Sequence, residues 1–304
     1  MLNANKLPNG VITAVLTPLD RDLNVGNAAL TRHIQWLLQR GNDGIALLGT
    51  TGEANSFSVD ERLRILEVVL DDGIPPGKLI VGTGCCSIPD TVTLTRHAHI
   101  HGAGGILLLP PFYYKPVNDV GLQTYFSMLL DKLGENEVKI YLYHFPKLSG
   151  VTFSNKLIEW LISKYPENIV GMKDSGGDWP HMEDILKTFP GFRLYAGSEK
   201  FLLPVLKAGG AGCISASANL TSPDAAAVYE AWKKGSGEKE QARLSELRDV
   251  LEQFPSIGTL KYIFAKLSGN QDWLNIRPPN VILTTEEGLQ IERKLKELDY
   301  FRHF

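Results

Sequence analysis

Eight times along the chain a short, continuously apolar run is followed, after a brief break, by a stretch with helical spacing. The runs fall at residues 10–18, 44–49, 79–84, 105–110, 139–146, 169–173, 193–197 and 212–217. The helical stretches cover about 23–40, 58–71, 89–101, 119–133, 154–164, 179–187 and 199–207, and an eighth opens near Pro223. A strand with one wet face alternates apolar and polar residues; a strand apolar throughout belongs to a parallel sheet covered on both faces. Eight such units with short connections predict an α/β fold, a (β/α)8 TIM barrel, rather than an open doubly wound sheet. Ser58-Val-Asp-Glu61 has the spacing of a capping box, which fixes one helix start. Beyond about residue 235 the apolar runs stop. Residues 238–253, 258–267 and 284–298 read as three amphipathic helices. The expected organisation is a barrel domain over 1–235 and a helical C-terminal domain over 236–304.

Composition narrows the function class. With 31 basic and 34 acidic residues the net charge is −3, which argues against a nucleic-acid or anionic-membrane partner. Residues 1–10 lack the apolar core of a signal peptide, and no apolar stretch reaches the length of a membrane span. Three cysteines, Cys85, Cys86 and Cys213, fit a reducing cytoplasm without structural disulfides. No glycine-rich dinucleotide fingerprint or phosphate-loop motif follows any strand, so no cofactor is expected.

The stretch Ile169-Val-Gly-Met-Lys-Asp-Ser-Gly-Gly-Asp178 carries the sharpest chemical signal. Lysine is depleted in strands and rarely buried without a partner, yet Lys173 ends an apolar strand. On a period of two it shares a face with Gly171 and Ile169, while Met172 and Val170 point the other way. Facing into a barrel, the amine would stand in a confined, apolar site, where desolvation favours the neutral nucleophile. The plainer alternative is a strand-end lysine paired with a surface carboxylate such as Asp174.

Reactive groups of a barrel collect at the C-terminal ends of its strands. Those ends supply Thr17-Pro18, Gly49-Thr-Thr-Gly-Glu53, Cys85-Cys86, Phe112-Tyr-Tyr114, Tyr143-His-Phe-Pro146, Lys173, Gly197-Ser-Glu199 and Ile214-Ser-Ala216. The ring shows no set of clustered His, Cys or carboxylate ligands of the kind a metal requires. A lysine nucleophile with tyrosine as proton carrier is the chemistry of a Schiff base, in which an iminium draws electrons from the neighbouring carbon. Gly49 and Gly52 let backbone N–H groups approach a carboxylate, and Thr50 and Thr51 add hydroxyls; an ordinary turn is the alternative. A buried core tyrosine is the alternative for Tyr143. His97, His99 and His101 read as imidazoles favouring a helix C-terminus rather than as metal ligands. Cys85-Cys86 reads as two reduced residues in a turn, and Trp179 as either a roof over the pocket or a helix-packing residue.

Gly49-Thr-Thr-Gly-Glu53, Tyr143-His-Phe-Pro146 and Gly171-Met-Lys-Asp174, in this order and spacing, resemble the three signatures of the dihydrodipicolinate synthase/N-acetylneuraminate lyase family. The resemblance spans essentially the whole chain. It implies a pyruvate-type Schiff base, a barrel with a helical C-terminal domain and a homotetramer. By position it makes Lys173 the Schiff-base lysine and Tyr143 the proton shuttle. Thr50 and Thr51 would hold the keto-acid carboxylate beside Gly52, with Thr51 also relaying protons. Tyr113 matches a tyrosine lent to a neighbouring subunit, and Gly197 and Ile214 match backbone positions lining the pocket.

Within that family the loop after the tyrosine motif separates activities. Lysine-pathway synthases carry there an arginine that clamps the second substrate's carboxylate; this chain reads Lys147-Leu-Ser-Gly150, with Leu148 at that position. Leu-Ser-Gly resembles the sialic-acid lyase and sugar-acid aldolase branch, whereas Gly197-Ser-Glu-Lys200 departs from the acidic pair of sialic-acid lyases. The expectation is cleavage or dehydration of a 2-keto-3-deoxy acid. Alternatives are condensation of pyruvate with aspartate semialdehyde, should the Lys147 amine reach inward, and a non-catalytic keto-acid-binding barrel. A phosphate site at Gly197-Ser198 and Gly209-Gly-Ala-Gly212 finds only loose support.

Overall fold

The structure is a computed structural model that describes residues 8–134 and 137–303; positions 1–7, within the N-terminal segment read above, and 304 lie outside it. Eight parallel strands close in sequence order into a barrel. They are β1 (Gly10–Ala14), β2 (Gly44–Leu47), β3 (Leu79–Gly82), β4 (Gly105–Leu108), β5 (Ile140–His144), β6 (Ile169–Asp174), β7 (Arg193–Ala196) and β8 (Gly212–Ser215). Helices α1 (Asn27–Gln39), α2 (Val59–Asp71), α3 (Ile88–Ile100) and α4 (Asp119–Leu133) follow the first four strands. A one-turn helix α5 (Pro146–Ser149), unforeseen from the sequence, precedes α6 (Asn155–Lys164), and α7 (Trp179–Thr188), α8 (Leu202–Lys207) and α9 (Ala218–Lys233) complete the ring. The chain ends in α10 (Glu238–Leu251), α11 (Ser256–Ser268) and α12 (Thr285–Glu297).

Local chemistry starts several helices where expected. The Ser58 hydroxyl accepts from the Glu61 N–H while the Glu61 carboxylate accepts from the Ser58 N–H, a reciprocal cap worth about 1 kcal/mol. Asn118 and Ser154 cap α4 and α6 by one-way bonds, each accepting from the N–H three residues on. The helix expected from Pro223 instead starts at Ala218, with Pro223 inside it. Asn219 explains the early start. Its amide donates to the carbonyls of Ala14 and Ala216 and its oxygen accepts from the Leu16 N–H, which holds the first turn of α9 against the end of β1. The expected helix over 199–207 divides into a 3-10 turn, Glu199–Phe201, and α8.

Three apolar layers form. Ile12, Ala46, Ile80, Leu107, Tyr141, Tyr195 and Ile214 fill the barrel interior. A larger layer, including Leu47, Leu142, Met172 and Leu194, packs the outer strand faces against the helices. A third joins α10–α12 to the barrel through Leu16 and Leu220. Each fully buried leucine contributes about 2 kcal/mol of transfer free energy.

The period-two reading of β6 needs one correction. Ile140 pairs with Ile169, but the next residue, Tyr141, pairs with Gly171, so Val170 is an extra residue on β6. This bulge turns Ile169 into the outer layer and sets Val170 against the interior, the reverse of the expected phase. Gly171 and Lys173 stay inside. Gly171 has to be glycine there, because a Cβ would stand 2.7 Å from the Tyr141 ring.

Candidate active site

Past the bulge, strand register brings the key pair together. Tyr143 and Lys173 are directly opposite on β5 and β6. Lys173 is only 4% exposed. Its Nζ donates to the Tyr143 hydroxyl at 3.2 Å and lies 4.4 Å from that ring's centroid. The Tyr143 hydroxyl is also 3.3 Å from Thr50 Oγ1. With the ammonium donating to the phenol oxygen, the phenol's own hydrogen is left for Thr50. Amine, phenol and hydroxyl thus form a continuous proton path. Asp174, the partner Lys173 would have on a surface strand, lies in the outer layer and hydrogen-bonds His181 Nδ1 at 2.7 Å, which removes the surface-pair alternative.

The turn after β2 supplies the Thr50-Thr51 edge. Leu48 at φ 56° and Glu53 at φ 59° both adopt the left-handed conformation, at about 1–2 kcal/mol each for residues with a Cβ. Thr17 Oγ1 donates to the Gly52 carbonyl at 2.9 Å. Glu53 is buried and forms an ion pair with Lys261 of α11, both side chains fully enclosed.

Above Lys173 opens a cavity of about 580 Å³. Thr50, Thr51, Tyr143, Lys173 and Gly197 line its floor. Gly197 permits the close fit, since a Cβ would meet Ser175 Oγ at 2.1 Å. The far wall comes from Lys147 and Leu148 on α5, Arg248 and Glu252 around the end of α10, and Ser256 and Ile257 opening α11. The C-terminal helices, read from sequence as a domain apart from the barrel, therefore form part of the site. Arg248 donates to buried Glu199 at 3.2 Å and to Glu252 at 2.7 Å. Burial pushes the Glu199 carboxyl up, but Arg248 and the hydroxyls of Ser215 and Ser217 outweigh it and hold it below the usual carboxylate range.

The remaining sequence candidates fall elsewhere. Gly52 shapes the turn from behind, and Ile214 belongs to the buried interior; neither side lines the cavity, where Ala216 stands instead. Tyr113 is 75% exposed and packs edge-to-face on Tyr114, away from the cavity. Trp179 stacks on Phe201 among the helices, so it packs rather than roofs. Cys85 accepts from Arg62 at 3.1 Å, and burial raises its thiol pKa above the usual value. His97 bonds Glu67, and His101 Nδ1 lies 2.8 Å from the His97 carbonyl.

One group of possible ligand atoms lies behind the mouth rather than on it. His144, Asp174 and His181 bring three metal-competent atoms within 4.8 Å of one another. Two of them are strand-end residues, but alternation turns them to the outer face, away from Lys173. His144 Nδ1 accepts from the Phe153 N–H at 3.4 Å, which puts its hydrogen on Nε2 and leaves that nitrogen a donor. Burial lowers the His144 pKa, while the bond to Asp174 raises that of His181. The group is hydrogen-bonded as a brace behind the two strand ends rather than arranged as ligands.

A family model described as the dihydrodipicolinate synthetase family matches residues 7–298. An uncharacterised DapA-like lyase of Chloroflexus aurantiacus is 35% identical over 286 residues, spanning 92% of this chain and 93% of that protein. A 4-hydroxy-tetrahydrodipicolinate synthase of Syntrophus aciditrophicus is 32% identical over 77% of this chain and 78% of its own. Among solved structures, dihydrodipicolinate synthase from Agrobacterium tumefaciens superposes with a TM-score of 0.88 at 32% identity, covering 95% of this chain and 99% of that one. A prophage protein of the same family from E. coli, solved in complex with pyruvate, gives 0.87 at 26% identity over 96% and 99%. The closed eight-stranded barrel, its C-terminal helices and a match along nearly the full length place one conclusion beyond the fold: the chain belongs to the dihydrodipicolinate synthetase family, a family of lyases and aldolases.

Proposed function

We propose that this protein is a class I lyase that processes a 2-keto-3-deoxy acid as an imine of Lys173, with pyruvate as the keto-acid product. The observation that carries the reading is the 3.2 Å amine–phenol contact at the floor of a cavity, continued to Thr50. In this reading the neutral amine adds to the C2 carbonyl, and loss of water gives the iminium. Tyr143 gives its proton to the departing hydroxide in that dehydration, and the phenolate then takes, through Thr50 and Thr51, the proton of the C4 hydroxyl as the C3–C4 bond breaks. The bonding pair moves into the iminium to give an enamine, and the aldehyde leaves. Protonation at C3 and hydrolysis then release pyruvate and the amine. Thr50 and Thr51 hold the carboxylate, with Gly197 as a backbone position beside it. A keto-acid sensor would use the carboxylate cradle alone and gains nothing from an amine placed against a phenol.

The test is borohydride reduction in the presence of pyruvate, followed by mass spectrometry. A reduced pyruvate adduct on Lys173 supports the imine; repeated absence of an adduct removes it. Leu148 offers the second substrate no charge, which favours a sugar acid over aspartate semialdehyde. The synthase remains as a second reading because Lys147 also lines the cavity and carries the positive charge that a carboxylate pairs with. A coupled assay of both reactions on one preparation separates them. Condensation with aspartate semialdehyde at a kcat/KM of about 10⁴ M⁻¹s⁻¹ or more would restore the synthase. The reading also includes a cytoplasmic homotetramer in which exposed Tyr113 serves a neighbour's site. No described helix is long and apolar enough to cross a membrane. A monomer by light scattering at micromolar concentration would leave Tyr113 without a role.

A further inference from the structure

Glu53 closes the Gly-Thr-Thr-Gly-Glu turn, and among the described residues the donors to its carboxylate, Lys261 and Arg277, both come from the C-terminal segment. Lys261 of α11 donates to one carboxylate oxygen across 208 residues of sequence. The Arg277 N–H donates to the other at 2.8 Å. Lys261 also donates to the Asn275 carbonyl at 2.8 Å, and the Asn275 amide donates to the Leu19 carbonyl at 2.9 Å. The Arg277 guanidinium bonds the carbonyls of Ser56 and Leu23 and the Glu61 carboxylate, spanning the end of the same turn. Both ion-pair side chains are wholly enclosed. Burial pulls the Lys261 ammonium below its ordinary pKa, opposed by Glu53.

This arrangement is more than packing against a helix. Glu53 takes a left-handed backbone conformation, φ 59°, which a residue with a Cβ keeps only where its surroundings impose it. Its N–H donates to the Thr50 carbonyl at 3.1 Å, so its conformation is tied directly to the residue whose hydroxyl meets Tyr143. Thr17 donates to the Gly52 carbonyl, which shares a peptide unit with the Glu53 N–H. Thr17 on one face and the Glu53 side chain on the other therefore hold that peptide between them, and through its bond to the Thr50 carbonyl it sets where Thr50 and Thr51 point.

We propose that Lys261, on the C-terminal helix α11, is a positioning residue for the keto-acid carboxylate: it acts through Glu53 to hold Thr50 and Thr51 in their binding geometry. The inference rests on the Schiff-base reading above. It makes the C-terminal helices part of substrate recognition from behind the turn as well as from the cavity wall. It also assigns a task to a buried cation that touches neither substrate nor Lys173.

The experiment titrates Lys173 labelling with pyruvate under borohydride in the full-length protein and in three variants. Lys261→Met leaves the buried carboxylate without its cation. Lys261→Met with Glu53→Leu replaces the pair by apolar side chains, the change that spares a fold an unpaired buried charge. Glu53→Gln keeps the side-chain shape and an acceptor for Arg277. Circular dichroism reports folding, and hydroxyacetone, a ketone without a carboxylate, serves as the second label. In the Lys261→Met and double variants the half-saturating pyruvate concentration should rise about tenfold or more, the scale expected when a binding group is displaced by a fraction of an ångström to an ångström. Glu53→Gln should give a smaller rise, and hydroxyacetone should label all four chains alike. A folded double variant whose half-saturation stays within about twofold of the parent would overturn the proposal, as would an equal loss with hydroxyacetone. No pyruvate adduct in the parent protein would remove the Schiff-base reading and this inference with it, an outcome distinct from an adduct that is indifferent to Lys261.

Discussion

The barrel interior holds two cation–tyrosine clusters, one above the other. At the C-terminal ends of the strands Lys173 donates to Tyr143, and Tyr143 meets Thr50. Toward the N-terminal ends Arg193 donates to Tyr141 at 3.2 Å and to Tyr195 at 2.8 Å, and Tyr195 donates to the Pro8 carbonyl at 2.8 Å. Tyr141 and Tyr143 lie two residues apart on β5, on the same face. The residue types are nearly the same; the outcomes differ for two physical reasons. Arginine stays charged and cannot act as a nucleophile, whereas lysine can surrender its proton. The lower phenols are also sealed: burial raises the pKa of Tyr141 and of Tyr195 above the ordinary tyrosine value, fixing them as neutral plugs. The upper cluster opens on the cavity; the lower one closes the barrel floor. Conservation at that end of such a barrel is the province of stability, and the upper end that of chemistry.

The comparison can be broken first by converting the upper cation into the lower one. Lys173→Arg keeps the charge and the contact with Tyr143 but cannot form an imine, so turnover should vanish while the fold persists. Measurable turnover above trace would show that Lys173 is not the nucleophile. Tyr143→Phe should slow turnover by about two to four orders of magnitude, the usual contribution of a positioned acid–base group. Steady-state kinetics that match the parent would assign the proton to another group. Arg193→Met should act on the other axis. It takes the guanidinium donor from two buried hydroxyls and should lower unfolding free energy by about 1–3 kcal/mol in urea titrations. Its kcat/KM should stay within about threefold of the parent, because distant sites act independently. A kinetic defect without a stability loss would erase the distinction between the two clusters.

The smallest effect is a pH dependence. The folded chain keeps Tyr195 protonated beyond the pH, about 10, at which the unfolded chain ionises it. The stability this contributes is complete below about pH 10 and is lost as pH rises toward the folded value. Tyr195→Phe removes that loss, so its urea midpoint should fall less steeply between about pH 9 and 11, by up to about 1.4 kcal/mol per unit. Parallel declines would mean that Tyr195 does not titrate differently in the two states.

Much of this was legible in the sequence, and the reasons are local. Each barrel strand announces itself as an apolar run, and residues at strand ends share the mouth, so Thr50, Thr51, Tyr143, Lys173 and Gly197 could be grouped without coordinates. Counting parity along β6 failed at Ile169, because a bulge leaves no mark in composition. Pro223 signalled a helix start, but the real start is set by Asn219, whose bonds to Ala14 and Leu16 lie more than 200 residues away. Glu53 stood in a signature segment, but its pairing with Lys261 gave no signal for the same reason: a buried ion pair is a fact of tertiary packing, and neither residue predicts the other. The cavity wall on α10 and α11 was hidden because amphipathic spacing tells that a helix packs, not what it overlooks.

The direct opposition of Tyr143 and Lys173 across two hydrogen-bonded strands has a consequence for change over time. Their separation is set by the ladder, not by any loop, while Lys147, Leu148 and Ser256 stand on segments outside it. Exchanging those rim side chains alters which molecule is admitted without moving the reacting atoms. The barrel is thus a fixed jig with an interchangeable faceplate, and a library confined to the faceplate is the economical route to a new substrate.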